Sequence, residues 1–133
     1  RRGYNIDSLT VSATTDPKVS RMSIIVQGDE PILEQIIKQL LKLEEVMRVD
    51  HLQEEDSCCS ELVFVKLEAA SGSMRDDIRQ LCGLYDAHIV ESTENSMIVE
   101  LSDVPSRIDA FLDVISNFKV IEMSRSGVTA IQK

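Results

Sequence analysis

Residues 61–133 run through strand-type and helix-type patterns in the order β-α-β-β-α-β, and that order constrains the fold more than any other feature. Glu61–Ala69 alternates, with Leu62, Phe64 and Lys66 on one side and Val63, Val65 and Leu67 on the other. Such a strand is expected to be covered on both faces at its centre. Ser71-Gly72-Ser73 reads as a turn with a helix cap. Met74, Ile78, Leu81 and Tyr85 then fall at i, i+4, i+7 and i+11, one stripe of a helix. Ala87–Glu91 and Met97–Leu101 flank Thr93-Glu94-Asn95-Ser96, a hairpin signal. Ser102 or Asp103 is expected to cap the next helix, with Pro105 in its first turn and Ile108, Phe111, Leu112 and Ile115 as its stripe. Lys119–Met123 reads as a strand, Ser126-Gly127 as a turn, and Val128–Ile131 as a short final strand. This element order predicts the ferredoxin-like split βαβ fold: four antiparallel strands with two helices on one face.

The first 52 residues read β-β-α-β, the last four elements of the same order. Asn5–Val11 and Met22–Gln27 are strands joined by a polar loop that turns at Asp16-Pro17. Asp29 caps a helix with Pro31 in its first turn. Leu33, Ile36, Ile37, Leu40, Leu43 and Met47 form its stripe over roughly four turns. Arg48–Leu52 is expected as a closing strand. Gly3 stands where a left-handed cap would end a helix, so a helix beginning before residue 1 is expected, and with it an opening β-α pair. The reading is α+β with two ferredoxin-like βαββαβ domains. Residues 1–52 form the first, lacking its first strand and helix. Residues 53–60 (QEEDSCCS) form an acidic linker, and 61–133 form the second domain.

Charge narrows the partners. The net charge is −9. It divides as −1 over residues 1–52, −3 over 53–60 and −5 over 61–133. The one basic run is Arg1-Arg2, and aromatics are 4% with no Trp. Nucleic acid is therefore not an expected partner, since phosphate needs a basic patch and bases need stacking platforms. No window approaches the ~20 apolar residues of a membrane helix. Cys58 and Cys59 are adjacent, a strained geometry for a disulfide, and with Cys82 they read as reduced thiols. His51 and His88 are isolated, so no metal spacing exists. No Ser, Cys or carboxylate sits in a nucleophile or phosphate-binding motif. A catalytic residue is not expected.

Particular residues carry a family resemblance. Arg2-Gly3-Tyr4-Asn5-Ile6-Asp7-Ser8-Leu9-Thr10-Val11, then Asp16-Pro17 and Ser20-Arg21-Met22, closely resemble the small regulatory subunits of acetolactate synthase, also called acetohydroxyacid synthase. Gly28-Asp29, Leu33-Glu34-Gln35-Ile36, Gln39-Leu40 and Lys42-Leu43 continue the match. So do Glu61-Leu62 through Val65-Lys66, Asp109-Ala110-Phe111 and Arg125-Ser126-Gly127-Val128. The resemblance implies an N-terminal ACT domain and a C-terminal ferredoxin-like domain. It implies a homodimer through the ACT domains, with a branched-chain amino acid, chiefly valine, as feedback effector at their interface. It implies a catalytic large subunit as partner, which carries thiamine diphosphate, Mg and FAD, while this subunit holds no cofactor. A cytoplasmic location is implied, or a plastid one in a plant or alga. The family's effector site joins an Asn-x-x-Gly loop to an Asn-Ile pair, and the pair is present as Asn5 and Ile6. An Asn amide offers a donor and an acceptor to an amino-acid zwitterion, and Ile6 suits an apolar pocket. A stand-alone ACT-type amino-acid sensor is the competing reading, and an enzyme with a ferredoxin-like active site is a third.

Overall fold

The computed structural model describes residues 5–133, with the side chains of 6–133. The expected glycine cap at Gly3 and the side chain of Asn5 lie outside the described residues. The chain divides into two compact units. The first runs through Cys58 and includes Ala130–Lys133; the second is Cys59–Thr129.

In the first unit, β1 (Asn5–Ala13) pairs antiparallel with β2 (Ser20–Gln27). The connecting loop is built by its own side chains. Asp16 Oδ1 accepts from the Lys18 amide at 3.0 Å, and the Val19 amide donates to the Asp16 carbonyl at 3.0 Å. Thr14 Oγ1 in turn accepts from the Asp16 amide at 3.1 Å. The register slips between Ile6 and Ser8, which leaves Asp7 as a bulge. Strict alternation would put Ile6 and Leu9 on opposite faces. The bulge instead sets Ile6 opposite Val26 and Leu9 opposite Ile24, on one face.

Helix α1 (Glu30–Leu41) follows at once. Asp29 Oδ1 accepts from the Ile32 amide at 3.3 Å, and Pro31 occupies the first turn, where no N–H is missed. A Cβ on Gly28 would lie 2.8 Å from Ile32 Cγ2, so only glycine lets the chain turn this tightly into the helix. The helix is shorter than its apolar stripe predicts. It stops at Leu41, and Met47 is 79% exposed beyond it. Glu44 and Glu45 would have placed two carboxylates against the carbonyl end of a longer helix, where negative charge is unfavourable. The expected strand at Arg48–Leu52 is absent. Arg48 Nε meets Asp50 Oδ2 at 2.9 Å, and among the described residues no free strand edge receives the segment.

Residues 53–60, expected as an acidic linker, include the start of a strand. Glu54–Asp56 make a 3₁₀ turn, and β3 (Ser57–Glu68) already begins at Ser57. The second unit continues with α2 (Gly72–Tyr85), β4 (His88–Ser92), β5 (Ser96–Asp103), α3 (Pro105–Ile115) and β6 (Val120–Gln132), whose last three residues fall in the first unit. The strand order β4-β5-β3-β6 is that of the ferredoxin-like fold. Val63, Val65 and Leu67 from β3 and Val99 and Leu101 from β5 form the buried floor. Ile78 and Leu81 from α2 and Ile108, Phe111 and Ile115 from α3 close it. Each such side chain contributes about 1.5–3 kcal/mol through burial. Tyr85 meets Phe111 edge-on with centroids 5.3 Å apart, and the Arg107 guanidinium lies 5.2 Å from the Tyr85 centroid.

Three local expectations are corrected here. Only one face of β3 is sealed, since Phe64 is 39% exposed while Val63 and Val65 are buried. The helices occupy a single side of the sheet. Asp103 is not the side-chain cap of α3; the cap position is Val104. Asp103 Oδ1 accepts instead from the Val104 amide at 2.8 Å, and Oδ2 holds Arg107 Nε at 2.7 Å. Ser126-Gly127 does not break the last strand. Gly127 takes φ 85° inside a continuous β6, a conformation glycine adopts without strain.

Candidate functional site

The site predicted at Asn5 and Ile6 lies at the start of β1. Asn5 pairs with Gln27 and Ile6 with Val26, so both are held by the β1–β2 ladder. Gln27 Nε2 donates to Asp7 Oδ2 at 3.0 Å, which ties the bulge to the end of β2. Ile6 is 55% exposed and stands at the rim of a recess of about 240 Å³. Ile24 and Val26 from β2 line it with Ile36, Leu40 and Leu43 from α1 and the chain just beyond. Gln39 adds one amide. Five branched aliphatic residues and the rim isoleucine accept an aliphatic group, while one amide gives little that could bind a charged headgroup. Ile6 reaches this recess because the bulge turns it there, a feature its spacing alone conceals.

A second constellation lies in the other unit. Glu61, from β3, has a side chain only 4% exposed. Arg125, from β6, donates to both its oxygens, from Nε at 3.0 Å and Nη2 at 2.7 Å. Arg125 Nη2 also meets Asp109 Oδ1 of α3 at 3.2 Å. The hydrogen bond to Glu61 is the main cause that raises the Arg125 pKa above its usual range. A buried carboxylate held bidentate in this way is a structural ion pair. The three residues are 16 and 64 positions apart, so no local motif joins them. The available signal was topological: a ferredoxin-like order makes β3 and β6 neighbours.

The remaining reactive groups are dispersed. Cys58 is exposed, Cys82 is buried, and neither is in a disulfide. Burial pushes the Cys82 thiol pKa up, away from nucleophilic use. Among the described residues no three His, Cys, Asp or Glu side chains gather to hold a metal ion, and no helix is long and apolar enough to cross a membrane.

Fold and site define a class: an ACT-type β-β-α half followed by a ferredoxin-like domain. The comparisons give the family. Residues 1–48 match the acetohydroxyacid synthase small subunit-like ACT domain, and residues 60–133 match the family described as small subunit of acetolactate synthase. The chain is 41% identical over 134 residues to the acetolactate synthase isozyme 3 small subunit of Escherichia coli, spanning 100% of this chain and 82% of that one. It is 39% identical over 133 residues to a probable acetolactate synthase small subunit of Methanothermobacter thermautotrophicus, covering 100% and 79%. The crystal structure of the small subunit from Thermotoga maritima superimposes with a TM-score of 0.88 at 31% identity, covering 100% of this chain and 83% of that one. The chain belongs to the acetolactate synthase small-subunit family.

Proposed function

We propose that this chain is a non-catalytic regulatory subunit of acetolactate synthase. It activates a catalytic large subunit and lowers that activity when a branched-chain amino acid, chiefly valine, is bound. Thiamine diphosphate, Mg and FAD belong to the large subunit, and the complex works in the cytoplasm. The observation that carries this reading is the family match over both halves of the chain in order. The site chemistry agrees with it. Ile6 stands beside a recess of branched aliphatic side chains, which suits an effector whose own side chain is branched and aliphatic. The Asn5 amide supplies a donor and an acceptor for the zwitterion. The ACT halves pair as a homodimer, which completes the effector site from two copies.

Control is then a coupling free energy between effector and large-subunit sites, and it is reciprocal: valine binding alters the contact with the large subunit, and that contact alters valine affinity. Reconstitution tests this. The full-length protein mixed with its large subunit is expected to raise acetolactate formation and confer inhibition by valine. Asn5→Ala should raise the half-inhibiting valine concentration ~10-fold or more, the loss of a hydrogen bond to a charged group. A mixture whose rate and valine response match those of the large subunit alone refutes the proposal.

A further inference from the structure

Two strands run from one unit into the other. β3 begins with Ser57 and Cys58 in the first unit and continues in the second. β6 begins in the second unit and ends with Ala130, Ile131 and Gln132 in the first. Side chains grip β6 at two places. Its own Arg125 holds Glu61 of β3 at 2.7 and 3.0 Å. Further along, the Ala130 carbonyl accepts from Arg21 Nη2 of β2 at 2.9 Å. Between the two grips stand Gly127, at φ 85°, and the buried Val128. A residue with a Cβ would be strained at the Gly127 position.

Arg21 stands on the strand that meets the candidate site. β2 pairs Gln27 with Asn5 and Val26 with Ile6 at one end, and Arg21 with Ser12 near the other. Its register is unbroken from Arg21 to Ile25. Ile24 and Val26 line the recess, and Arg21 lies on the opposite face of the strand. The guanidinium is part-buried and makes no ion pair among the described residues. Its charge is directed at a backbone carbonyl, and such charge-assisted hydrogen bonds are stronger than neutral ones. Coupling between distant sites is carried by rigid elements and hydrogen bonds of this kind. A shift of β2 on effector binding moves the end of β6 through Arg21. β6 then delivers that shift to Arg125, which is bonded to Glu61 and to Asp109 of α3.

We infer that Arg21 is a positioning residue for regulation: by tying β2 to the end of β6, it carries effector occupancy from the first unit to the second. The inference rests on the regulatory reading above. The test uses the full-length protein, alone and reconstituted with its large subunit. Arg21→Met removes the donor and keeps an extended side chain. It should leave valine binding by the subunit alone within about 2-fold of the wild type by isothermal titration calorimetry. In the reconstituted enzyme, the inhibition reached at saturating valine should fall by at least about half, because the coupling and not the binding is lost. Arg21→Lys keeps a charged donor for a single carbonyl, which needs no planar fork, and should restore most of the inhibition. Gly127→Ala strains β6 between its two grips and should lower the inhibition as Arg21→Met does, without touching the anchor. Circular dichroism melts separate these effects from unfolding, since a merely structural role lowers Tm, valine affinity and inhibition together. Wild-type inhibition in both Arg21→Met and Gly127→Ala overturns the inference, as does a valine affinity that falls in step with the inhibition. If the wild-type reconstituted enzyme itself ignores valine, the regulatory reading fails; if only the variants match the wild type, that reading stands and the role of Arg21 does not.

Discussion

Replacing Arg125 by Met tests how the second unit joins its last strand to its first. The substitution removes the two hydrogen bonds at 3.0 and 2.7 Å that satisfy Glu61, and leaves a carboxylate whose side chain is 4% exposed. Removing one partner of a fully buried ion pair costs about 3–5 kcal/mol. Arg125 is itself 37% exposed, so water reaches the vacated side and the cost falls to about 2–3 kcal/mol. For a unit of this size that is a drop of roughly 8–24 °C in Tm. Arg125→Lys keeps the charge but not the bidentate fork, and should cost about 1–1.5 kcal/mol. The double variant Glu61→Leu with Arg125→Met removes both charges and should recover most of the loss, leaving about 1 kcal/mol or less. Urea unfolding of the full chain, followed by circular dichroism, measures all three. The reasoning is refuted if Arg125→Met costs under about 0.5 kcal/mol, or if the double variant is as unstable as the single one.

Asp103 gives a pH signature. The hydrogen bond from Arg107 holds its carboxyl below the usual carboxylate range. Its stabilisation is therefore complete above the unfolded-state pKa and is lost as pH falls through the lower folded value. Asp103→Asn should flatten the acid limb of the stability curve, which urea midpoints between pH 2 and 5 will report. Ser71 Oγ accepts from the Met74 amide at 3.2 Å and caps α2, so Ser71→Ala should cost about 1 kcal/mol in the same assay. Cys58 is exposed and Cys82 is buried with its thiol pKa raised, so mass spectrometry after iodoacetamide should show Cys58 modified in the native chain and Cys82 only after unfolding.

The legibility of the chain follows burial. In the second unit, stripes such as Ile78–Leu81 and Ile108–Phe111–Ile115 pack against the alternating row of β3, and both kinds of period stand in the sequence. In the first unit the stripe misleads. Leu43 and Met47 continue the helical spacing of α1, yet the helix stops at Leu41 because two glutamates follow. The Arg48–Leu52 segment has strand-like residues but pairs with no described strand. Strand formation is a property of two segments, and one segment's composition does not decide it. The relation of the proposed effector residue Ile6 to Val26 and the α1 recess depends on a bulge that no residue type announces.

By itself the sequence determined the β-α-β-β-α-β order of the second unit, the buried stripes of α2 and α3, and the family to which the chain belongs. Each is a local pattern: periodicity, caps and motif residues act over a few positions. Only the tertiary structure decided that Glu61, Asp109 and Arg125 form one ion-paired cluster, and that β6 runs unbroken through Gly127 as an exposed edge. Those facts depend on which strands become neighbours. A strand's outer edge and a buried carboxylate's partner exist only once distant segments have been brought side by side.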